Sequence, residues 1–207
     1  MSKLRFFWEQ SWLLLVSSLV FGVLLAIADT AWAPRIARNE VEKFTRLAGG
    51  MLPEAKRFEP LASKIPVDAG KGKTVQVEVY RAVDDSGRRV GWAFVCEGSG
   101  FADKIKLVVA ADAGFEKLAG FGVLSSNETP GFGDKITIPG GFYQKQFVGA
   151  PAGTLTLVKT GDAERIDGEI VAISGATVTS QAVVDILNRY VSAVRAALQE
   201  QGLLTKE

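Results

Sequence analysis

Ile173-Ser174-Gly175-Ala176-Thr177-Val178-Thr179-Ser180 follows a short apolar run and opens the last long amphipathic stretch of the chain. Val178, Ala182, Val183, Ile186, Leu187, Tyr190, Val191, Val194 and Leu198 then recur at helical spacing, with Arg189, Arg195 and Glu200 between them. This pattern predicts a helix that lays one face on a sheet. Small residues and hydroxyls therefore crowd a helix N-terminus. Unpaired N–H groups and the positive end of the helix dipole favour an anion there. Gly175 and Ala176 leave room for a bulky phosphate, and Thr177 offers a hydroxyl. A plain Ser/Thr N-cap, worth about 1 kcal/mol, is the competing reading.

Upstream of that helix the pattern changes from helical to period 2. Residues 74–80 alternate apolar and polar and predict a half-buried strand. The turn Asp84-Asp85-Ser86-Gly87 returns the chain as a partner strand over 89–95. After the glycine-rich turn at Gly98-Ser99-Gly100-Phe101, residues 104–110 and 118–124 form a second pair about Asp112-Ala113-Gly114. The loop Ser125 to Lys135 has its path set by Pro130, Gly131 and Gly133. A short helix over 142–147 and strands at 155–158 and 169–173 complete the set. The expected fold class is α+β, an antiparallel or mixed sheet packed by helices.

The N-terminal part is of another kind. Residues 1–10 carry Lys3 and Arg5, and 11–33 are apolar with only Ser and Gly interrupting until Asp29. About 20 such residues cross a bilayer as a helix. Trp8 and Trp12 at one end and Trp32 at the other read as interfacial belts, and the positive-inside rule puts Lys3 and Arg5 in the cytoplasm. Ala31-Trp32-Ala33 has the form of a signal-peptide cleavage site, but Pro34 and the length of the run favour a retained anchor. Residues 34–73 read as a helical stalk, ended by Gly49-Gly50 and Pro53, and then a surface connection. Residues 74–207 read as an extracytoplasmic domain.

Composition narrows the chemistry. The 207 residues carry a formal net charge of +1, include no histidine and contain a single cysteine. His-based triads and metal sites, intrachain disulfides and thiolate-ligated clusters are thereby excluded. No basic patch with interleaved aromatics points to nucleic acid. No metal site and no catalytic acid or base is expected, so redox chemistry requires an organic cofactor. Cys96 lies in an apolar run and reads as a buried thiol. Taken singly, Glu128 reads as a solvated loop carboxylate, Pro130 and Gly131 as turn formers, Trp92 as core, and Phe132 as either core or a cofactor neighbour.

Ser174-Gly175-Ala176-Thr177 at the start of the terminal helix, and Glu128-Thr129-Pro130-Gly131 followed by Phe132-Gly133, together resemble the FMN-binding domain of the G subunit of the Rnf electron transport complex. The related C subunit of the sodium-pumping NADH:quinone reductase is similar, as is the stretch Gly98 to Ile105 to that family's glycine-rich turn. The resemblance covers essentially the whole chain. It implies FMN joined through a phosphoester to Thr177, with Ser174, Gly175 and Ala176 around the attachment. Glu128, Thr129, Pro130 and Gly131 would lie on the isoalloxazine side. It also implies a flavin transferase that uses FAD, integral-membrane partner subunits and a lipid environment. The setting would be a bacterial inner membrane, with the FMN domain on the periplasmic side. The role implied is a carrier in an ion-translocating ferredoxin:NAD oxidoreductase. Val171 stands where the family often has an Asp, and Ser125, Ser126 and Asn127 where it often has a histidine. A stand-alone extracytoplasmic flavoprotein reductase and a flavin-free assembly module of the same fold are the alternatives.

Overall fold

The structure is a computed structural model describing residues 3–68, 70 and 72–204, with side chains described from residue 11 onward. The interfacial and charge readings of Lys3, Arg5 and Trp8 fall outside the described side chains. Two compact units divide the chain, residues 1–42 and 43–207.

The first unit is helical. Helix α1 (Lys3–Met51) runs through Pro34 and through Gly49 and Gly50, so the apolar segment and the stalk are one helix. Pro34 lacks only the N–H that would have met the Thr30 carbonyl. The segment is long and apolar enough to cross a membrane, and none of it is buried against protein. Hydroxyls at its middle and far end are satisfied within the helix. Ser17, Ser18 and Thr30 donate to the Leu14, Leu15 and Ala26 carbonyls at 3.0, 3.2 and 2.8 Å. Hydrocarbon demands that internal satisfaction.

The second unit is built on a five-stranded antiparallel sheet in the order β1-β4-β5-β6-β7. Its strands are β1 (Arg57–Pro60), β4 (Val79–Val83), β5 (Arg89–Ser99), β6 (Lys104–Asp112) and β7 (Leu118–Ser125). Strands β2 (Ile65–Asp68) and β3 (Thr74–Val77) form a small antiparallel pair, and β8 (Thr156–Val158) and β9 (Glu169–Val171) a parallel one. Two short helices precede the last element: a 3-10 turn at Gly133–Thr137 and α2 (Phe142–Lys145). Helix α3 (Thr177–Glu200) closes the chain. The architecture is α+β, as the patterning predicts.

Two readings change. The stretch taken as a surface connection after the stalk carries β1 and β2. Both are four residues long and contain a proline, which strands tolerate at edges. The single strand expected over 74–80 is divided at Glu78, because β3 pairs with β2 whereas β4 pairs with β1 and β5.

Strand alternation assigns the two faces of the sheet. Trp92, Phe94 and Cys96 of β5 join Ile105, Leu107 and Val109 of β6 beneath α3. Burial pushes the Cys96 thiol pKa up, consistent with an inert thiol. On the other face Ala93 and Val108 meet Phe44 and Ala48 from the last turns of α1. Phe44 packs on Tyr80 with ring centroids 4.6 Å apart. Burial and the Glu78 carboxylate raise the Tyr80 pKa to about 12. A raised phenol pKa stabilises the fold fully below the ordinary value near 10, and that contribution is lost as pH rises through about 12. An ultraviolet phenolate titration should therefore show all three tyrosines ionising late, because burial also raises Tyr143 and Tyr190, with the Tyr80 step in line with falling stability.

Helix α3 approaches β5 closely at Gly98. A Cβ there would lie 2.5 Å from Ile186 Cγ1, and Ile186 is buried. Gly98→Ala should cost about 2 kcal/mol by overpacking. In a thermal melt of the purified chain this would appear as a midpoint lowered by about 4–8 °C.

Candidate functional site

The N-terminus of α3 is delivered by a tight turn. Ala176 N–H donates to the Ile173 carbonyl at 2.9 Å, and Gly175 takes φ +79° inside that turn. Positive φ is open to glycine at no steric cost. The edge of the Phe132 ring lies 3.0 Å from where a Cβ on Gly175 would sit. Ala176 is the N-cap residue and no side chain caps the helix. Thr177 is therefore the first helical residue, and the reading of this motif as a Ser/Thr N-cap is corrected. Ser180, one turn on, supports the turn instead. Its hydroxyl accepts from Ile173 N–H at 3.0 Å and donates to the Ala176 carbonyl at 2.9 Å. The first N–H groups of α3 have no helical acceptor, and among the described residues no side chain caps them.

A second turn comes from the loop. Thr129-Pro130-Gly131-Phe132 closes through Phe132 N–H to the Thr129 carbonyl at 3.2 Å, with Gly131 at φ +77°. Proline followed by a positive-φ glycine is the pattern of a type II turn. Beneath it Glu128 is buried, at 5 % exposure, which corrects its reading as a solvated carboxylate. Its Oε1 accepts from Ala102 N–H at 3.0 Å and its Oε2 accepts from the Thr179 hydroxyl at 2.5 Å. The carboxylate thus joins the loop to the Gly-rich turn and to α3. Gly100 and Gly133 make its slot, since a Cβ on either would overlap a carboxylate oxygen. Asn127 adds a parallel tie, donating to Asp103 Oδ2 at 2.9 Å and holding that carboxyl below the usual range.

Above these ties lies a cavity of about 410 Å³, within the range that holds cofactors. Thr129, Gly175, Ala176 and Thr177 line it together with Phe101 and Phe132. Ser174, Pro130 and Gly131 are exposed outside its wall, and Glu128 lies below it. Thr177 is half-buried at the wall, while Phe101 and Phe132 are 64 % and 52 % exposed. Such large exposed rings beside an uncapped helix N-terminus fit a ligand that combines an aromatic plane with an anion.

Sequence reasoning missed Phe101, Gly133 and Thr179 as parts of this site, and Gly100 as half of the Glu128 slot. Phe101 was visible only as a turn residue, and Thr179 as a hydroxyl two positions from the motif threonine. Val178, placed on the core face by periodicity, is exposed and lines the cavity. Val171 is buried in β9, where the Gln146 amide accepts from its N–H at 2.7 Å and donates to its carbonyl at 3.1 Å. That position is a packed strand residue and not a surface one.

Fold and site together define a domain suited to a flavin phosphate, in a chain that also carries one apolar N-terminal helix. Residues 100–192, which carry both turns and the cavity, match the family model described as an FMN-binding domain. The G subunit of the ion-translocating oxidoreductase complex of Methanosarcina acetivorans is 34 % identical over 183 residues, covering 88 % of this chain and 92 % of that one. The G subunit of the Na(+)-translocating ferredoxin:NAD(+) oxidoreductase complex of Acetobacterium woodii is 32 % identical, covering 85 % and 86 %. The chain belongs to the G-subunit family of ion-translocating oxidoreductase complexes. The crystal structure of Shewanella oneidensis NqrC shares the fold, with TM-score 0.52 and 24 % identity over 72 % of this chain and 73 % of that one.

Proposed function

We propose that this chain is a membrane-anchored flavoprotein subunit that carries FMN covalently on Thr177. It relays electrons in an Rnf-type ion-translocating ferredoxin:NAD oxidoreductase. The observation that carries this reading is the Thr177 hydroxyl, half-buried on a cavity wall at a helix N-terminus that no side chain caps. A phosphodiester at that point is stabilised by the free N–H groups and the helix dipole, each of which favours a fixed negative charge. Thr177 Oγ1 forms the new bond to the FMN phosphorus of FAD, AMP leaves, and the hydroxyl proton is released. A separate flavin transferase presents the donor.

Bound there, FMN supplies redox chemistry by one or two electrons. The chain's own residues orient and enclose it. Phe101, Phe132 and Thr129 offer walls for the ring, and Glu128 holds those walls to α3 through Thr179 and Ala102. Residues 11–33 cross the cytoplasmic membrane with residues 1–10 inside, and the domain stands on the extracytoplasmic side beside integral-membrane partner subunits. Tethering suits that location, where no pool of free FMN replaces a lost cofactor. As a carrier the subunit needs those partners for turnover.

The test is the intact mass of the chain co-produced with a flavin transferase. An added mass of one FMN less water, with a fluorescent band that survives denaturation, is the expected result. An unmodified mass in flavin-replete cells would sink the covalent assignment.

A further inference from the structure

Thr177 and Val178 border two cavities, not one. The second, of about 790 Å³, runs along α3 from Thr177 to Arg189, against Val75 of β3 and Gly98 of β5. Residues 178, 181, 182, 185 and 189 form its wall because they share one stripe of the helix, at i, i+3, i+4, i+7 and i+11. The two spaces differ in chemistry. No charged side chain lines the smaller one, whose walls are aromatic rings, backbone and hydroxyls. The larger has an apolar floor of Val75, Ala182 and Ile186 and a rim that includes Lys73, Lys104 and Asp185.

We infer that the domain offers a ring tethered at Thr177 two seats, with Thr177 as the pivot. The inference rests on the covalent reading above. A phosphoester and a ribityl chain are joined by rotatable single bonds, so one attachment atom serves both cavities. Each seat satisfies a different part of the ring. The phenylalanine walls stack its plane, whereas its polar edge needs hydrogen-bond partners if it is to leave water without cost. Gln181 and the charged rim of the larger cavity supply such partners, and the smaller cavity offers uncharged ones, the Thr129 and Thr177 hydroxyls and backbone groups. The two seats meet these needs with different groups, aromatic walls and uncharged partners in one and an apolar floor with a charged rim in the other, and the ring populates both. A relay with two seats exposes its ring to donor and acceptor from different faces of the same domain.

Tryptophan quenching reads the seat directly, because contact with an indole shortens the excited-state lifetime of a flavin. Phe101→Trp places an indole in the smaller cavity and Gln181→Trp places one on the larger. Both replace exposed residues. The full-length variants, co-produced with a flavin transferase and purified in detergent, are first weighed to show the FMN adduct. Time-resolved flavin fluorescence is then compared with the unsubstituted chain, whose four tryptophans are common to all. Each variant should lose part of the slow decay to a fast component, the two fractions together accounting for most of the signal. Loss of nearly all slow decay in one variant and of none in the other would overturn the two-seat arrangement. That result would leave the adduct, and hence the covalent reading, intact. An unsubstituted chain lacking the adduct would overturn both.

Discussion

Thr177→Ala should abolish covalent flavin completely and leave the fold almost unchanged. The two readings of this residue, cap and acceptor, part company here. A capping threonine loses about 1 kcal/mol on conversion to alanine. Here Ala176 is the N-cap and no side chain caps α3, so the substitution removes a reactive hydroxyl and no capping bond. Thermal melts of the purified, flavin-free chains should agree within about 2 °C, a difference of less than about 1 kcal/mol. In-gel fluorescence after denaturation should fall to background in the alanine variant and persist in Thr177→Ser, which keeps a hydroxyl. Fluorescence retained by Thr177→Ala would move the attachment elsewhere, with Thr179 excluded by burial and by its bond to Glu128.

The second large effect falls on Glu128. Glu128→Ala removes an acceptor shared by Ala102 N–H and the Thr179 hydroxyl, the latter on a buried residue. Hydrogen bonds to a charged acceptor contribute about 1.5–3 kcal/mol each, and an unsatisfied buried donor adds to the loss. A destabilisation of about 3 kcal/mol is expected, lowering the melting midpoint by about 6–12 °C. Glu128→Gln keeps one acceptor oxygen and should lose about half as much. The same tie connects the turn at 129–132 and the Gly-rich turn to α3, so flavin yield should fall in Glu128→Ala though Thr177 is present. An unaltered melt would show that the three elements hold together without the carboxylate.

Most of the strand and helix order was legible because its physical signals are local. The strand pair expected at 104–110 and 118–124 became β6 and β7 nearly in place, and the helical spacing after Thr177 became α3. Short edge strands were not legible. Four residues containing a proline carry no periodic signal, and β1 and β2 exist only because β4 and β3 offer them partners. The break at Glu78 has the same origin, since neighbouring residues there answer to different sheets. Among the site residues, Thr177 and the 129–131 turn were visible as motifs. Phe101, Thr179, Gly100 and Gly133 were not, because their role lies in what they approach.

Glu128 shows where the division falls. Its identity and spacing mark a motif, but a lone carboxylate in a Pro/Gly loop is ordinarily solvated, and nothing local says otherwise. Burial arises because β7 delivers the loop beside the Gly100 turn and beneath the first turn of α3, 51 positions away. The sequence by itself determined the apolar N-terminal helix, the α+β class and the hydroxyl at a helix start, since each depends on composition or period within one segment. Only the tertiary structure decided that this helix start is uncapped, that a buried carboxylate fastens three segments there, and that Thr177 stands between two cavities. Those features come from contacts between residues far apart in the chain, and local patterning carries no information about which distant backbone will meet them.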